Sequence, residues 1–280
     1  MVSDNASVKK VAFITGVARG QGRAHAVKLA SKGMNIIGMD ICADIASMNY
    51  PNASEDDLRE TAKLVEAAGG EIVAEKGDVR SYDDLRRTLA LGLDRFGRVD
   101  VLLANAGIVR LSDEDEGDRD QTWTDIIEVN LTGVWRTVEV VLPAIRAGGR
   151  GGSVVITSST SGIKGTGTSQ AGATAYTAAK RGLVGLMQVL ANQYAPEMIR
   201  VNTIHPTGVA TGMSVNPAME KLMAQAAAGG KNAISSMQNA LPINILQAEN
   251  IADAVAWLVS DEASYITGIQ LPLDAGFTVR

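Results

Sequence analysis

The 280-residue chain has a single cysteine, Cys42, and only two histidines, His25 and His205. A lone thiol excludes an internal disulfide and a cysteine-based zinc cluster, and two isolated histidines leave no metal site. His25 is expected to pack inside the first helix and His205 to be structural. No apolar run approaches the roughly 18 residues of a membrane span. The opening MVSDNASVKKVAFITG lacks the long apolar stretch behind a basic end that marks a leader. Positive charge is scarce as well: the formal net charge is -5, so no basic face is available for a phosphate backbone and nucleic acid is excluded as the main partner. A soluble cytoplasmic protein is expected. No repeat or linker divides the chain, so residues 1–280 are expected to form one domain.

What the chain does contain is 46% hydrophobic residues and 29 glycines, enough for a large α/β core. Short Val- and Ile-rich runs at 10–15, 35–40, 71–77, 99–107, 153–159, 199–206 and 268–276 alternate with longer stretches of helical period. The alternation predicts a Rossmann-like, doubly wound α/β fold: a seven-stranded parallel sheet with helices on both faces. Three segments break the pattern: 41–57, 109–123 and the Met-, Ala- and Gly-rich 207–247. They are candidate lids or rims, because function sits on loops held by a rigid sheet. Five carboxylates at 113–118 are open to a divalent cation, although such runs are more commonly solvated loops. Met213, Met219, Met223 and Met237 are open to two readings, a soft substrate lining or ordinary core and subunit contact.

The run FITGVARGQGRAHAVKLA at 13–30 passes from strand to helix through Gly16, Gly20 and Gly22. Glycines permit a tight turn and close approach of backbone to phosphate, while the helix N-terminus offers unpaired N–H groups and positive dipole. Asp40 stands at the end of the second strand, where a carboxylate accepts bonds from ribose hydroxyls and repels a 2′-phosphate. That favours NAD. Arg19 and Arg23 point the other way, since a guanidinium near the loop pairs with such a phosphate. At 175–180, AYTAAK places Tyr176 and Lys180 on one helical face. A lysine charge there favours the ionised phenol and predicts a pKa drawn down from about 10 toward neutrality.

Thr15-Gly16-x-x-x-Gly20-x-Gly22, Asn105-Ala106-Gly107, Asn130 in EVNLTG, Ser159 in TSSTSG and Tyr176-x-x-x-Lys180 follow one another along the chain. In that order they resemble the signature of the single-domain short-chain dehydrogenase/reductase family, over essentially the whole length. More narrowly, GVARGQGRAHAVKLA, MDICADI and HPTGVATGM, with the long insert after Asp40, resemble its carveol dehydrogenase-like, mycofactocin-associated subgroup. The resemblance implies Tyr176 as general acid/base and Lys180 as the residue that tunes it and holds the cofactor ribose. It implies Ser159 as the donor to the substrate oxygen and Asn130 as the anchor of a water chain. Matching SSTSG onto the family pattern S-S-x-x-G selects Ser159 over Ser158.

The implied NAD-binding set comprises Gly16, Arg19, Gly20, Gln21, Gly22, Asp40 and Ile41, with Asp78 and Val79 beside adenine. Asn105, Ala106, Gly107, Tyr176 and Lys180 follow, and then Pro206, Gly208, Val209 and Thr211 near the nicotinamide. Two departures stand out. The stretch between Ser159 and Tyr176 is longer than usual, which is expected to alter the substrate rim. The glycine of the family's P-G-x-V-x-T is displaced by one position to Gly208, leaving that turn's geometry open. The expected function is NAD-dependent interconversion of a secondary alcohol, such as the cyclic terpenoid carveol, and its ketone. The resemblance further implies a homotetramer, slow cofactor exchange and mycofactocin as electron acceptor. An NADPH-dependent ketone reductase and a non-catalytic nucleotide sensor are the alternatives.

Overall fold

The computed structural model describes residues 9–111, 118–165, 169–229 and 238–280. Seven strands form the sheet: β1 (Val11–Thr15), β2 (Asn35–Asp40), β3 (Ile72–Lys76), β4 (Val101–Ala104), β5 (Gly152–Thr157), β6 (Ile199–Pro206) and β7 (Gln270–Leu273). All pairings are parallel, in the order β3-β2-β1-β4-β5-β6-β7. The expected doubly wound parallel sheet is therefore present.

Neighbouring strand residues face opposite ways, as the pleat requires. Ile14, Ile36, Leu103, Val155 and Ile204 join one buried layer with α1 (Gly20–Ser31), α2 (Glu55–Ala67) and α8 (Ala248–Val259). Phe13, Ile37, Leu102, Val154 and Val201 join the other with α3 (Tyr82–Phe96), α5 (Gly133–Ala147) and α6 (Ala171–Tyr194). Two shorter helices, α4 (Arg119–Ile127) and α7 (Pro217–Ala227), complete the set. No helix among the described residues is long and apolar enough to cross a membrane.

The chain reverses its direction of progress between β1 and its two neighbours, β2 and β4, which opens a crevice beyond the carboxyl ends of those strands. The glycine turn leaves β1 there, and Asn105-Ala106-Gly107 leaves β4. Thr15 ties the two together, its hydroxyl accepting the N–H groups of Asn105 and Ala106, each at 3.1 Å.

Sequence pattern suggests one long helix after the fourth strand. Instead α4 and α5 are joined by a π turn, Glu128–Thr132, with Asn130 at its centre. Of the acidic run, Asp118 caps α4 by accepting the Gln121 N–H at 3.0 Å. The other four carboxylates and Met237 lie outside the described residues.

Candidate active site

The crevice is a cleft of about 890 Å³ counted to its open mouth. Gly16 and Gly20 adopt φ of +68° and +56°, which side chains rarely tolerate. A Cβ on Gly22 would lie 1.9 Å from the Gly16 carbonyl oxygen, so the turn closes only on glycine. Helix α1 has no side-chain cap, unlike α2, α3, α4 and α7, and its first residues, Gly20, Gln21 and Gly22, line the cleft. Gln21, also in the wall, has a buried Oε1 without a partner. Uncapped donors and an unsatisfied acceptor fit a phosphate-bearing ligand that also offers a hydrogen-bond donor. A dinucleotide meets both requirements.

Arg19, Asp40, Ile41, Asp78, Val79, Asn105, Ala106, Gly107 and Thr211 share that wall. Asp40 Oδ2 accepts the Ala18 N–H at 2.9 Å and Oδ1 the Cys42 N–H at 3.3 Å. Burial pushes this carboxyl above its usual range, against the pull of those bonds and of Arg19. Arg23 does not serve the cleft. Its guanidinium bonds the Ala18 carbonyl, Thr61 and Asp57, holding the turn against α2, so its reading as a phosphate ligand is corrected. Arg19 instead donates to the Pro51 carbonyl at 2.7 Å.

Pro51 belongs to the insert after β2, which folds into a strap over the cleft. Ile45, Tyr50, Asn52 and Ala53 of the strap line the cavity. Ser47 Oγ donates to Asp125 at 2.6 Å, Asn49 to the Leu111 carbonyl at 2.9 Å, and Tyr50 Oη accepts the Val109 N–H at 3.2 Å. Arg80 links the same Asp125 to Asp78 of the cleft wall. Among the described residues no group of His, Cys, Asp or Glu is arranged to hold a metal.

Tyr176, near the start of α6, joins the apolar cluster that holds Ile45, Tyr50, Val79 and Ile108 of the cleft, with Ala106 and Met213 packed against it. The phenol thus sits at the same end of the sheet as the glycine turn. It lies beside Ser159, whose side chain eases ionisation of the phenol and whose hydroxyl accepts the Ser161 N–H at 3.1 Å. Ser158 is engaged elsewhere, donating to the Lys180 carbonyl at 2.8 Å. Lys180 Nζ stands 5.6 Å from the Tyr176 ring centroid and donates to the Thr157 carbonyl at 2.7 Å. Asn130 clasps the Ile108 peptide, Oδ1 accepting its N–H at 2.8 Å and Nδ2 donating to its carbonyl at 2.7 Å. A Cβ on Gly107 would come within 3.1 Å of Asn130 Oδ1 and 3.3 Å of Lys180 Nζ, so the missing side chain lets both converge there.

The electrostatics differ from the expectation of a phenol lowered toward neutrality. Tyr176 is half-buried as a residue, and burial of its phenol pushes the pKa up to about 12, against the opposing influence of Ser159 and with a further push from Tyr50. Lys180 is itself driven down to about 7 by burial. The i, i+4 spacing brings the groups together, but burial dominates the shift of each. His205 is buried with both nitrogens bonded, Nδ1 to the Ser159 carbonyl at 2.8 Å and Nε2 to Thr203 at 2.9 Å. It braces the strand end.

After β6, Gly208 needs no left-handed backbone. Its carbonyl and the Ala210 N–H pair with Leu246 at 2.9 and 2.8 Å, turning the Val209 peptide groups the other way. Of the expected set from the end of β6 onward, Thr211 lines the cleft, and Pro206, Gly208 and Val209 are not among its lining residues. Met213 lines the cleft, Met219 is buried and Met223 is exposed. Arg80, Asp125 and the contacts that hold the strap and Thr15 escape a reading by sequence, because they join segments far apart in the chain.

Residues 10–222 match the family model described as short chain dehydrogenase. The chain is 52% identical to an uncharacterized oxidoreductase of Mycobacterium tuberculosis, covering 96% of each. It is 41% identical to a (-)-trans-carveol dehydrogenase of Rhodococcus erythropolis, covering 97% of this chain and 98% of that protein. The crystal structure of a carveol dehydrogenase from Mycobacterium avium in complex with NAD superposes with a TM-score of 0.89 at 42% identity, covering 98% and 99% of the two chains. Glycine turn, strand order and whole-length similarity agree: the chain belongs to the short-chain dehydrogenase family.

Proposed function

We propose that the protein is a single-domain, NAD-dependent dehydrogenase interconverting a secondary alcohol and its ketone, with a cyclic terpenoid alcohol of the carveol kind as substrate class. The carrying observation is the convergence of Tyr176, packed against cleft-lining residues, Lys180 Nζ 5.6 Å from its ring and the fixed Ser159 at the sheet end where the phosphate-fitting cleft opens. Gly20, Gln21 and Gly22 would hold the pyrophosphate through N–H groups, and Asp40 the adenosine ribose. When bound, NAD supplies the hydride acceptor and a positive ring.

Ser159 fixes the substrate oxygen and Tyr176 Oη takes its proton in oxidation or returns it in reduction. Lys180 Nζ, 5.6 Å from the ring centroid, supports a role in stabilising the phenolate, and Asn130 holds the peptide of Ile108, which lines the cleft. The strap supports a cofactor kept between turnovers, with electrons passed to an external acceptor such as mycofactocin. Exposed Trp135 on α5 and Val189 on α6 support a tetramer built on those helices.

The test is mass spectrometry of the purified protein for retained nucleotide, followed by a panel of secondary alcohols with and without an artificial acceptor. Bound NAD and turnover of a cyclic alcohol are expected. Tyr176→Phe is expected to keep the nucleotide and lose activity by about 10³-fold. NAD binding with no turnover of any alcohol would leave a sensor, and tighter NADPH binding would overturn the Asp40 argument.

A further inference from the structure

Two irregular segments flank the catalytic side chains: the stretch leaving Ser159 through Lys164, and the stretch leaving β6 through Thr207. Each meets the sheet at its start, the Ser159 carbonyl bonding His205 Nδ1 at 2.8 Å and the Thr207 N–H donating to the Leu273 carbonyl at 3.3 Å, and then leaves it. The chain after β7 crosses between them. Asp274, 8% exposed, folds this crossing by accepting the N–H groups of Gly276 and Thr278 and the Thr278 hydroxyl at 2.7–2.9 Å. Phe277 is thereby buried, and Lys164 Nζ stands 5.1 Å from its ring centroid while donating to the Arg280 main-chain oxygen. From the other side, Arg280 Nη1 donates to the Asn239 carbonyl at 3.0 Å. The Asn239 side chain continues the path, accepting the Thr207 hydroxyl at 3.2 Å and donating to the Ile243 carbonyl at 2.6 Å. Lys164, Arg280, Asn239 and Thr207 thus form a bonded chain across three segments.

We infer that Arg280 and Lys164 staple the two walls of the substrate space, making Arg280 a positioning residue for the body of the substrate. Its kinetic consequence rests on the alcohol dehydrogenase reading; its structural consequence does not. Ser159 is already fixed by Ser161 and His205, so the reacting oxygen keeps its partners when the staple opens. Only the outer wall is released. Lost uniform binding raises KM with kcat nearly unchanged.

Arg280→Ala and Lys164→Met are each expected to raise KM for a turned-over secondary alcohol about tenfold, with kcat within about twofold and retained NAD unchanged. Because the two links act in series, the double variant is expected to be no worse than the worse single variant. Arg280→Lys, still able to donate to Asn239, should recover part of the loss. Amide hydrogen exchange over 239–246 should quicken in both single variants while β1, β4 and β5 stay protected. Unchanged KM, equal loss in kcat, or unchanged exchange over 239–246 would overturn the staple. Should the wild-type protein turn over no alcohol, the exchange measurement still decides the staple, and only the alcohol dehydrogenase reading fails.

Discussion

Ser158 and Ser159 are neighbours whose hydroxyls differ in place, one donating to the Lys180 carbonyl and the other lying beside the Tyr176 phenol. Ser159→Ala is therefore expected to lower kcat by about 10²-fold, the usual loss when a donor to a reacting oxygen is removed. Ser158→Ala should cost about 1 kcal/mol of stability and leave most of the activity, because it removes one buried bond to backbone. Steady-state kinetics and urea melts of the pair check both. Family order along the chain selects Ser159 from the sequence, yet nothing in the sequence shows where Ser158 points. The same limit explains the Tyr176–Lys180 pair. Its spacing is local and legible, whereas the burial that pushes the phenol up to about 12 and the lysine down to about 7 is set by the fold around them.

The strap is the element least like the rest of the fold. It forms no strand or helix and is held by side chains that reach over to Leu111, Val109 and Asp125. Its apolar residues join a separate cluster and contribute little to the two main layers. Replacing residues 44–53 by a short Gly-Ser link is thus expected to leave far-ultraviolet circular dichroism unchanged while speeding nucleotide release roughly a hundredfold. That is the factor expected from losing two or three hydrogen bonds at about 1 kcal/mol each. Release can be followed by mass spectrometry after gel filtration. An insert of this length is visible in the sequence, but its course is not, since Tyr50 meets Val109 only across the fold. The glycine turn is the opposite case: φ, spacing and uncapped helix all arise within a few residues, so Gly16, Gly20 and Gly22 announce it directly.

At the scale of the whole molecule, unfolding exposes His25, which α1 buries where it packs against α2 and α8, with both ring nitrogens unpaired. Burial lowers its pKa to about 4 from 6.5. The unfolded chain therefore binds the proton first, and stability is complete above pH 6.5 and falls as the pH drops toward 4. The loss from this residue amounts to about 3 kcal/mol. His25→Leu should remove that part of the acid limb, leaving a flatter denaturation curve between those pH values. The alternation of apolar runs and helical stretches made the layered sheet legible, because each strand carries its own burial pattern. Strand order is not local and had to come from the structure. That order places Gly16 near the beginning of the chain and Thr211 far along it on the walls of one cleft. A ribosome delivers those two residues at widely separated times. A growing polypeptide accordingly has no complete cleft until translation has passed Thr211, and a finished cleft marks a chain that has grown beyond that point.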